Sequence, residues 1–433
     1  MRVLVIYFKL GSTKDRNTID EHLYSFRRYV RNVQFHYFNA ANGIPRYLTC
    51  VHYDGVILHY TFLAARWSKG FYEKWKPHIR RLKDLKGYKV AIPQDEYAET
   101  AKLWELFKES QVRTVFTCFS ESDALRAYPE EECGTLNRIP VAPGYVDNEA
   151  VRNIGRLCNN EYKRPVDLGY RARKVPYWLG RHGQIKYEIG KVFAERLKGN
   201  GLKTDISWDD KDVFIGEEWY KFLCRCKAVL GCEGGASLFD PEGKTRELVE
   251  RYVSGHPDAS FDEVERECFR GLDYNISLFS LSPRHFEAAI TKTCQVLVEG
   301  RYGDIFKPGI HFIEVKKDFS NLDAVIKFLQ DDMYCKRIVD NAYKDIVGSG
   351  RYTYEVFARS VVEHIAEGSE KKATSCGIDS KIFWFLGRYL WLREALEPIL
   401  ARIFYVWLGL KFYKVEAIKM YFRKRRGDHV SNV

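Results

Sequence analysis

The residues best suited to chemistry gather in a few short stretches. Ser282-Pro283-Arg284-His285-Phe286-Glu287 sets a cation, an imidazole and a carboxylate within two turns. Arg284 and Glu287 are three residues apart and therefore share a helix face. Arg171, Arg173 and Lys186 form a second group, suited either to an anionic ligand or to an ordinary solvated basic loop. Glu233-Gly234-Gly235 lets a backbone come close, so its N–H groups either cradle an anion or close a tight turn. Glu299-Gly300 offers a further carboxylate beside a permissive residue, and the same two readings apply. Nearer the start, His59 and Asp95 are able to take a proton. Their structural alternatives are a buried imidazole and a helix cap.

The elements that must position these residues read as two series of strands and helices. Short β-branched runs at 2–8, 54–60, 89–93 and 114–118 predict buried parallel strands, and a helix follows the first from Thr18 to Val30. Gly11-Ser12-Thr13 reads as the loop between them, and no G-x-G-x-x-G fingerprint stands there. Two of these strands end in polar clusters, His59-Tyr60 and Gln94-Asp95-Glu96-Tyr97. Periodicity then fades between Pro143 and Arg164, which places an interdomain linker there. A second series predicts strands at 166–170, 204–208, 228–230, 276–280, 294–298 and 310–315. Helices are expected at 185–197, in an insertion over about 244–271, and from Pro283, which opens a helix without losing a hydrogen bond. More follow from Asn321 to Glu367. Alternating strands and helices give parallel sheets whose ligands sit beyond the carboxyl ends of the strands.

Length and composition fit two α/β domains, since 433 residues exceed one ordinary core. A net charge of +11 favours anionic partners: nucleotides, phosphates, acidic lipids or nucleic acid. The 11 cysteines are scattered, without a CxxC pair, so neither a zinc site nor a disulfide framework is expected, and a reducing cytoplasm is. The opening apolar run is too short for a signal peptide, and no stretch of about 20 uncharged apolar residues is long enough to span a bilayer. Asp209-Asp210 precedes Lys211 rather than forming a DxD, and no metal is expected.

The last 63 residues differ. From Lys371 to Val433 there are 13 Lys/Arg against five Asp/Glu, and 12 aromatics lie between Phe383 and Phe422. Helices lying in a membrane interface have this composition, with 375–426 against anionic headgroups. Docking of the same helices on their own domain is the alternative, and nucleic acid has only charge behind it, so no specific nucleic-acid partner is expected.

Phe286-Glu287-Ala288-Ala289, Gln295-Val296-Leu297 and Phe306-Lys307-Pro308-Gly309 together resemble the donor-binding segment of group 1 glycosyltransferases, most closely the CgeB-like subset. The resemblance covers most of 1–365 and is strongest over 164–321. It implies the GT-B fold: an N-terminal Rossmann-like acceptor domain at 1–160 facing a Rossmann-like nucleotide-sugar domain at 161–345. Helices at 346–372 would return to the first domain, and 373–433 forms the basic-aromatic tail. It also implies transfer of a sugar from a UDP- or GDP-sugar co-substrate to a glycan or lipid-linked acceptor, with no bound cofactor. Glu287 would then accept the ribose hydroxyls. Arg171, Arg173, Lys186, Arg284 and His285 would meet the diphosphate or the sugar, with Glu233, Gly234, Gly235, Glu299 and Gly300 lining the pocket. His59 or Asp95 would serve as base in an inverting enzyme, and a retaining one would use the leaving phosphate. The family's signature glycine is Lys292 here and its upstream glutamate is Phe279. These two changes support the alternative, a catalytically inactive structural or surface-assembly protein.

Overall fold

The computed structural model describes residues 1–9, 17–68, 72–73, 76–77, 79–158, 164–369 and 379–396. The Gly11-Ser12-Thr13 loop and the tail beyond residue 396 lie outside the described residues.

Runs of Val, Ile and Leu bury both faces only when helices cover a sheet on two sides. Strands β1 (Arg2–Tyr7), β2 (Gln34–Asn39), β3 (Gly55–His59), β4 (Tyr88–Ile92), β5 (Thr114–Thr117) and β6 (Asn137–Pro140) form one sheet in the order β2-β1-β3-β4-β5-β6. Every pairing is parallel. The sequence predicts four of these six. β2 mixes polar and aromatic residues, and β6 is four residues ending in proline, so neither carries a clean apolar run.

The second sheet takes β7 (Val166–Arg171), β8 (Thr204–Ser207), β9 (Cys226–Gly231), β12 (Cys294–Val298) and β13 (Ile313–Val315) in the order β13-β12-β9-β7-β8, again parallel. The expected strand at 276–280 is not part of it. Its core, β11 (Leu278–Ser280), instead pairs antiparallel with β10 (Gly234–Ala236) as a separate ribbon. Two Rossmann-like domains with parallel sheets and covering helices make this the GT-B architecture.

A helix, Asn148–Leu157, occupies the stretch where periodicity fades. None of its residues is fully buried, but Ala150, Val151 and Ile154 form an apolar stripe at helical spacing that packs against the cluster holding Leu281 and Phe286, a period passed over in the sequence. Its N-cap, Asp147, accepts from the amides of Glu149 and Ala150 at 3.4 and 3.2 Å. Cys158 at its end forms a disulfide with Cys224, 66 residues away. Spacing gave no sign of this single bond, because it joins tertiary neighbours far apart in sequence.

Two segments tie the domains together. Residues 236–278, including helices Lys244–Gly255 and Phe261–Cys268, leave the second sheet and bury Leu238, Val249, Val264, Phe269 and Leu278 in one apolar cluster with Leu58, Leu63, Leu103 and Phe107 of the first domain. Arg246 completes the junction, its guanidinium 5.1 Å from the Trp178 ring and 3.3 Å from the Glu99 carboxylate. The helix Tyr354–Gly368 buries Phe357, Val361 and Ile365 against Val3, Val5 and Ile57 of the first sheet. Full burial of such side chains contributes about 1.5–3 kcal/mol each.

Beneath the first rim, Glu96 is fully enclosed and accepts from the Thr117 hydroxyl at 2.7 Å, the Cys118 amide at 2.9 Å and the Tyr128 hydroxyl at 2.5 Å. Burial raises its carboxyl from 4.5 to about 7, against those three donors and Arg66. The folded chain therefore holds this proton more tightly than the unfolded one, and stability falls as pH rises from about 4.5 to 7. The full effect is on the order of 3 kcal/mol. Glu96→Gln is expected to flatten this part of the melting-temperature profile. A mutant slope equal to wild type across that window would overturn the assignment.

Candidate active site

Doubly wound sheets open a crevice where adjacent strands send their connections to opposite sides. In the second sheet that point lies between β7 and β9. A cavity of about 250 Å³ sits there, lined by Arg171, Arg173, Lys186, Gly234, Arg284 and His285, together with Trp219 and Gln295. Six of the predicted donor residues are thus brought to one place, but they do different jobs.

Arg171 is a strut. It is 7% exposed, and its guanidinium donates to the carbonyls of Tyr170, Asp205 and Asp212 and to the Asp205 carboxylate at 2.6 Å. The rings of Phe214 and Phe222 flank it at 5.0 and 4.6 Å. With four of five donors spent, it stiffens the cavity wall rather than meeting a diphosphate. The Arg171 carbonyl in turn accepts from Arg284 at 2.5 Å, and the Arg284 guanidinium lies 4.8 Å from the Trp219 ring. Arg173 stands half-exposed with Asp210 at 2.9 Å. Lys186 is half-buried on the helix Gly180–Arg196, and among the described residues its ammonium has no hydrogen-bond or ion-pair partner. It is the cation in the cavity wall that an anion reaches at least cost.

His285 lies in the first turn of the helix Pro283–Ile290. Its Nδ1 faces the Gln295 Oε1 at 3.0 Å, while the Gln295 amide donates back to the His285 carbonyl. That orientation puts a proton on Nδ1, and the ring also lies beside the Cys232 backbone. Burial lowers this imidazole to about 4, so it is neutral at pH 7. The helix ends at Lys292 with φ 51°, the left-handed conformation that the family's glycine would supply. A lysine accepts it at a cost of about 1 kcal/mol.

Glu287 does not open onto the cavity. It is 8% exposed and accepts the indole N–H of Trp219 at 2.6 Å, and it is Trp219 that lines the cavity wall. Across the cleft, Glu21 of the first domain lies near enough to Glu287 and Asp147 for both to raise its carboxyl, burial being the larger cause, to about 8.

Glu233 and Gly300 serve each other instead of a ligand. The Glu233 carboxylate accepts from the Tyr302 amide at 2.7 Å, and a Cβ on Gly300 would stand 2.4 Å from it. Gly235 has φ 99°, and a Cβ there would meet the Leu278 carbonyl at 1.9 Å, so its role is the close β10–β11 crossing. Glu299 is exposed beyond β12, its amide bound to the Val315 carbonyl. The anion cradle expected of 233–235 and the lining role expected of Glu299 and Gly300 are corrected accordingly; Gly234 alone of these borders the cavity.

His182 gives no signal in sequence. It is 3% exposed and stacks on Phe279 at 3.7 Å, beside the backbone of Glu233 and Gly234. Phe279 itself borders a second cavity of about 510 Å³ between the domains, with Cys118, Ser120 and Tyr145 opposite Ser280 and Arg301.

His59 is corrected as a base. It is fully buried, with Nε2 3.0 Å from His22 Nδ1 and Nδ1 accepting from the Thr61 amide, and burial pushes it well below the usual range. Asp95 is exposed on the first rim at φ 52°, its carbonyl held by Arg66, and it borders neither cavity. Among the described residues no cluster of His, Cys, Asp and Glu is arranged to hold a metal ion, and no helix is long and apolar enough to cross a membrane.

No protein-family model matches the chain, and no curated protein matches it in sequence. Solved structures resemble it at low identity. HepE of Anabaena, in complex with UDP-glucose, is 11% identical over 85% of this chain and 100% of that one, with a TM-score of 0.44. Sucrose-phosphate synthase of Thermosynechococcus elongatus is 10% identical over 85% and 98%, also at 0.44. The β-glucosyltransferase of phage T4 is 10% identical over 84% and 99%, again at 0.44.

The division of labour among the cations is measurable without ligand. Arg171→Ala is expected to cost about 2–3 kcal/mol in urea unfolding, because it orphans buried carbonyls. Lys186→Ala should stay within about 0.5 kcal/mol of wild type. Equal losses for the two would contradict it.

Proposed function

We propose that the chain is a glycosyltransferase that moves a sugar, a hexose in the first instance, from a UDP- or GDP-sugar to a glycan or lipid-linked acceptor. The observation that carries this reading is the cation-walled cavity at the β7–β9 crevice of the second sheet. The CgeB-like resemblance points the same way. Such an activity belongs to the assembly of cell-surface polysaccharide or glycan.

Breaking the bond between the anomeric carbon and the diphosphate puts negative charge on the leaving group. Lys186, Arg284 and Arg173 supply the fixed positive charge beside it, and the amino end of the helix Pro283–Ile290 adds its dipole. The aromatic face of Phe279 occupies the place of the family's upstream glutamate, so no carboxylate there attends the developing positive charge on the sugar. With His59 sealed away and Asp95 outside both cavities, the leaving phosphate oxygen is the base this site leaves for the acceptor hydroxyl, as in a retaining transfer. Glu287 reaches a ribose only when Trp219 swings aside.

The rival, a structural or surface-assembly protein of the same shape, draws on two observations: Trp219 covers Glu287, and Phe279 replaces a carboxylate. A thermal-shift screen of UDP, GDP, ADP, CMP and TDP with their common sugars separates the two. A ligand at about 100 times its dissociation constant adds about 2.7 kcal/mol. One nucleotide is expected to stand out, and Lys186→Ala should weaken it about ten-fold, the loss of one charge-assisted contact. Silence across the panel favours the rival.

A nucleotide-sugar enzyme would work in the cytoplasm, peripheral on the inner face of the membrane, and the Cys158–Cys224 bond bears on that. If the bond forms in the cell, protein denatured at lysis in excess alkylating agent without reductant is alkylated at nine of its 11 cysteines. All 11 reacting would mean that the two cysteines stay reduced and the cytoplasmic assignment stands.

A further inference from the structure

The helix at 379–396 is two-sided. Its inner face buries Phe383 and Leu390 against the first domain, with the Phe383 ring stacked on His36 at 3.9 Å and the Arg2 guanidinium 4.4 Å from that ring. Gly387 allows this approach, since a Cβ there would lie 2.6 Å from the His36 ring. The charged residues Asp379, Arg393 and Glu394 also turn inward. Asp379 pairs with Arg2 at 2.5 Å and Glu394 with Arg27 at 2.9 Å, while Arg393 donates to the Asn39 carbonyl at 3.3 Å.

The outer face is apolar and cationic. Trp384 is 53% exposed, Phe385 66% and Trp391 68%, and Ile382, Tyr389, Leu392 and Leu396 are exposed beside them. The cations on this face are Lys381 and Arg388, the latter 4.7 Å from the Trp384 ring, and no acidic residue joins them. A stripe of this size on a monomer marks a contact surface. A second copy related by a two-fold axis would set Lys381 and Arg388 against themselves, which like charge disfavours. From residue 397 onward the chain adds eight Lys/Arg against three Asp/Glu, with more aromatics and the closing Arg423-Lys424-Arg425-Arg426. Exposed tryptophans flanked by cations match an interface of acyl chains beneath anionic headgroups.

We propose that the outer face of this helix is a docking surface for an anionic membrane. Asp379 sits beside Arg2 at the amino end of β1, and Arg393 beside Asn39 at the carboxyl end of β2, which is the edge strand. The helix therefore lies over the face of β1 and β2 that carries Leu4 and His36, and runs toward the carboxyl rim. Docking would hold that rim against the bilayer; resting on the transferase reading, this favours a lipid-linked acceptor over a free glycan.

Flotation of the full-length protein with vesicles tests the surface. Binding is expected to vesicles of equal parts phosphatidylcholine and phosphatidylglycerol, and not to phosphatidylcholine alone. Changing Trp384→Ser, Phe385→Ser and Trp391→Ser together should lower partitioning about ten-fold or more, with the melting temperature unchanged because all three side chains are exposed. Brominated acyl chains should also quench tryptophan fluorescence of the wild type. Absence of wild-type flotation, or equal flotation of the triple variant, overturns the proposal. So does a wild-type dimer in sedimentation that the variant loses. The nucleotide screen run on both proteins keeps the questions apart: lost flotation with retained nucleotide shifts leaves the membrane face supported and the donor site intact, and flotation without nucleotide shifts removes only the link to an acceptor.

Discussion

One apolar junction sets the geometry of everything else. Each domain has a parallel sheet whose central strands are buried on both faces, so polar side chains and loops concentrate at the carboxyl rims. Those rims confront each other because residues 236–278 leave the second domain and share a core with the first. Leu238, Val249, Val264 and Phe269 lie in that core, and Arg246 holds its edge between Trp178 and Glu99. The helix Tyr354–Gly368 closes the opposite side of the first sheet. A GT-B cleft is often pictured as a free hinge. Here, closure has to move the insertion with the first domain and flex the β10–β11 ribbon, where Gly235 crosses at a positive φ.

Within this frame the cavity's charge is unevenly available. Arg171 is consumed in holding β7 to β8 and lending its carbonyl to Arg284. His182 and His285 are kept neutral by burial, so they contribute shape and hydrogen-bonding atoms without charge. Lys186 stands out as a cation not already committed within the protein. Trp219 has the most consequence for recognition, since one edge borders the cavity and its N–H occupies Glu287. A ligand ribose would compete with an indole for that carboxylate.

The first domain shows the same economy. His59 ends β3, at a position where rim residues meet ligands, yet it is sealed by His22 and Tyr60, His22 itself packing on Tyr354 and Phe357. At the outer end of this sheet the helix at 379–396 packs over one face of β2 and β1, Phe383 stacking on His36 and Arg393 donating to the Asn39 carbonyl. That helix packs on the sheet with one face and presents aromatic rings with the other, so self-docking and interfacial binding, alternatives in the sequence, are both available to one element.

What the sequence by itself determined was the class of fold and the address of the site. Buried parallel strands favour apolar runs rich in β-branched residues, and these are local: β1, β3, β4 and β12 stand where such runs stand, and Pro283 opens its helix. β2 and β6 carry no clean apolar run, while the helices Asn148–Leu157 and Glu217–Arg225 are short amphipathic segments beside polar stretches, and with the last of these Trp219 went unseen. Tertiary structure alone decided which charged groups were free. Whether an arginine is a strut or a ligand depends on which carbonyls surround it, as at Arg171, and whether a histidine can act depends on what covers it, as at His59. The pairing of Cys158 with Cys224 has the same origin, since it joins residues far apart in sequence. Residue type and spacing fix what a side chain is able to do; the neighbours brought by folding fix what remains for it to do.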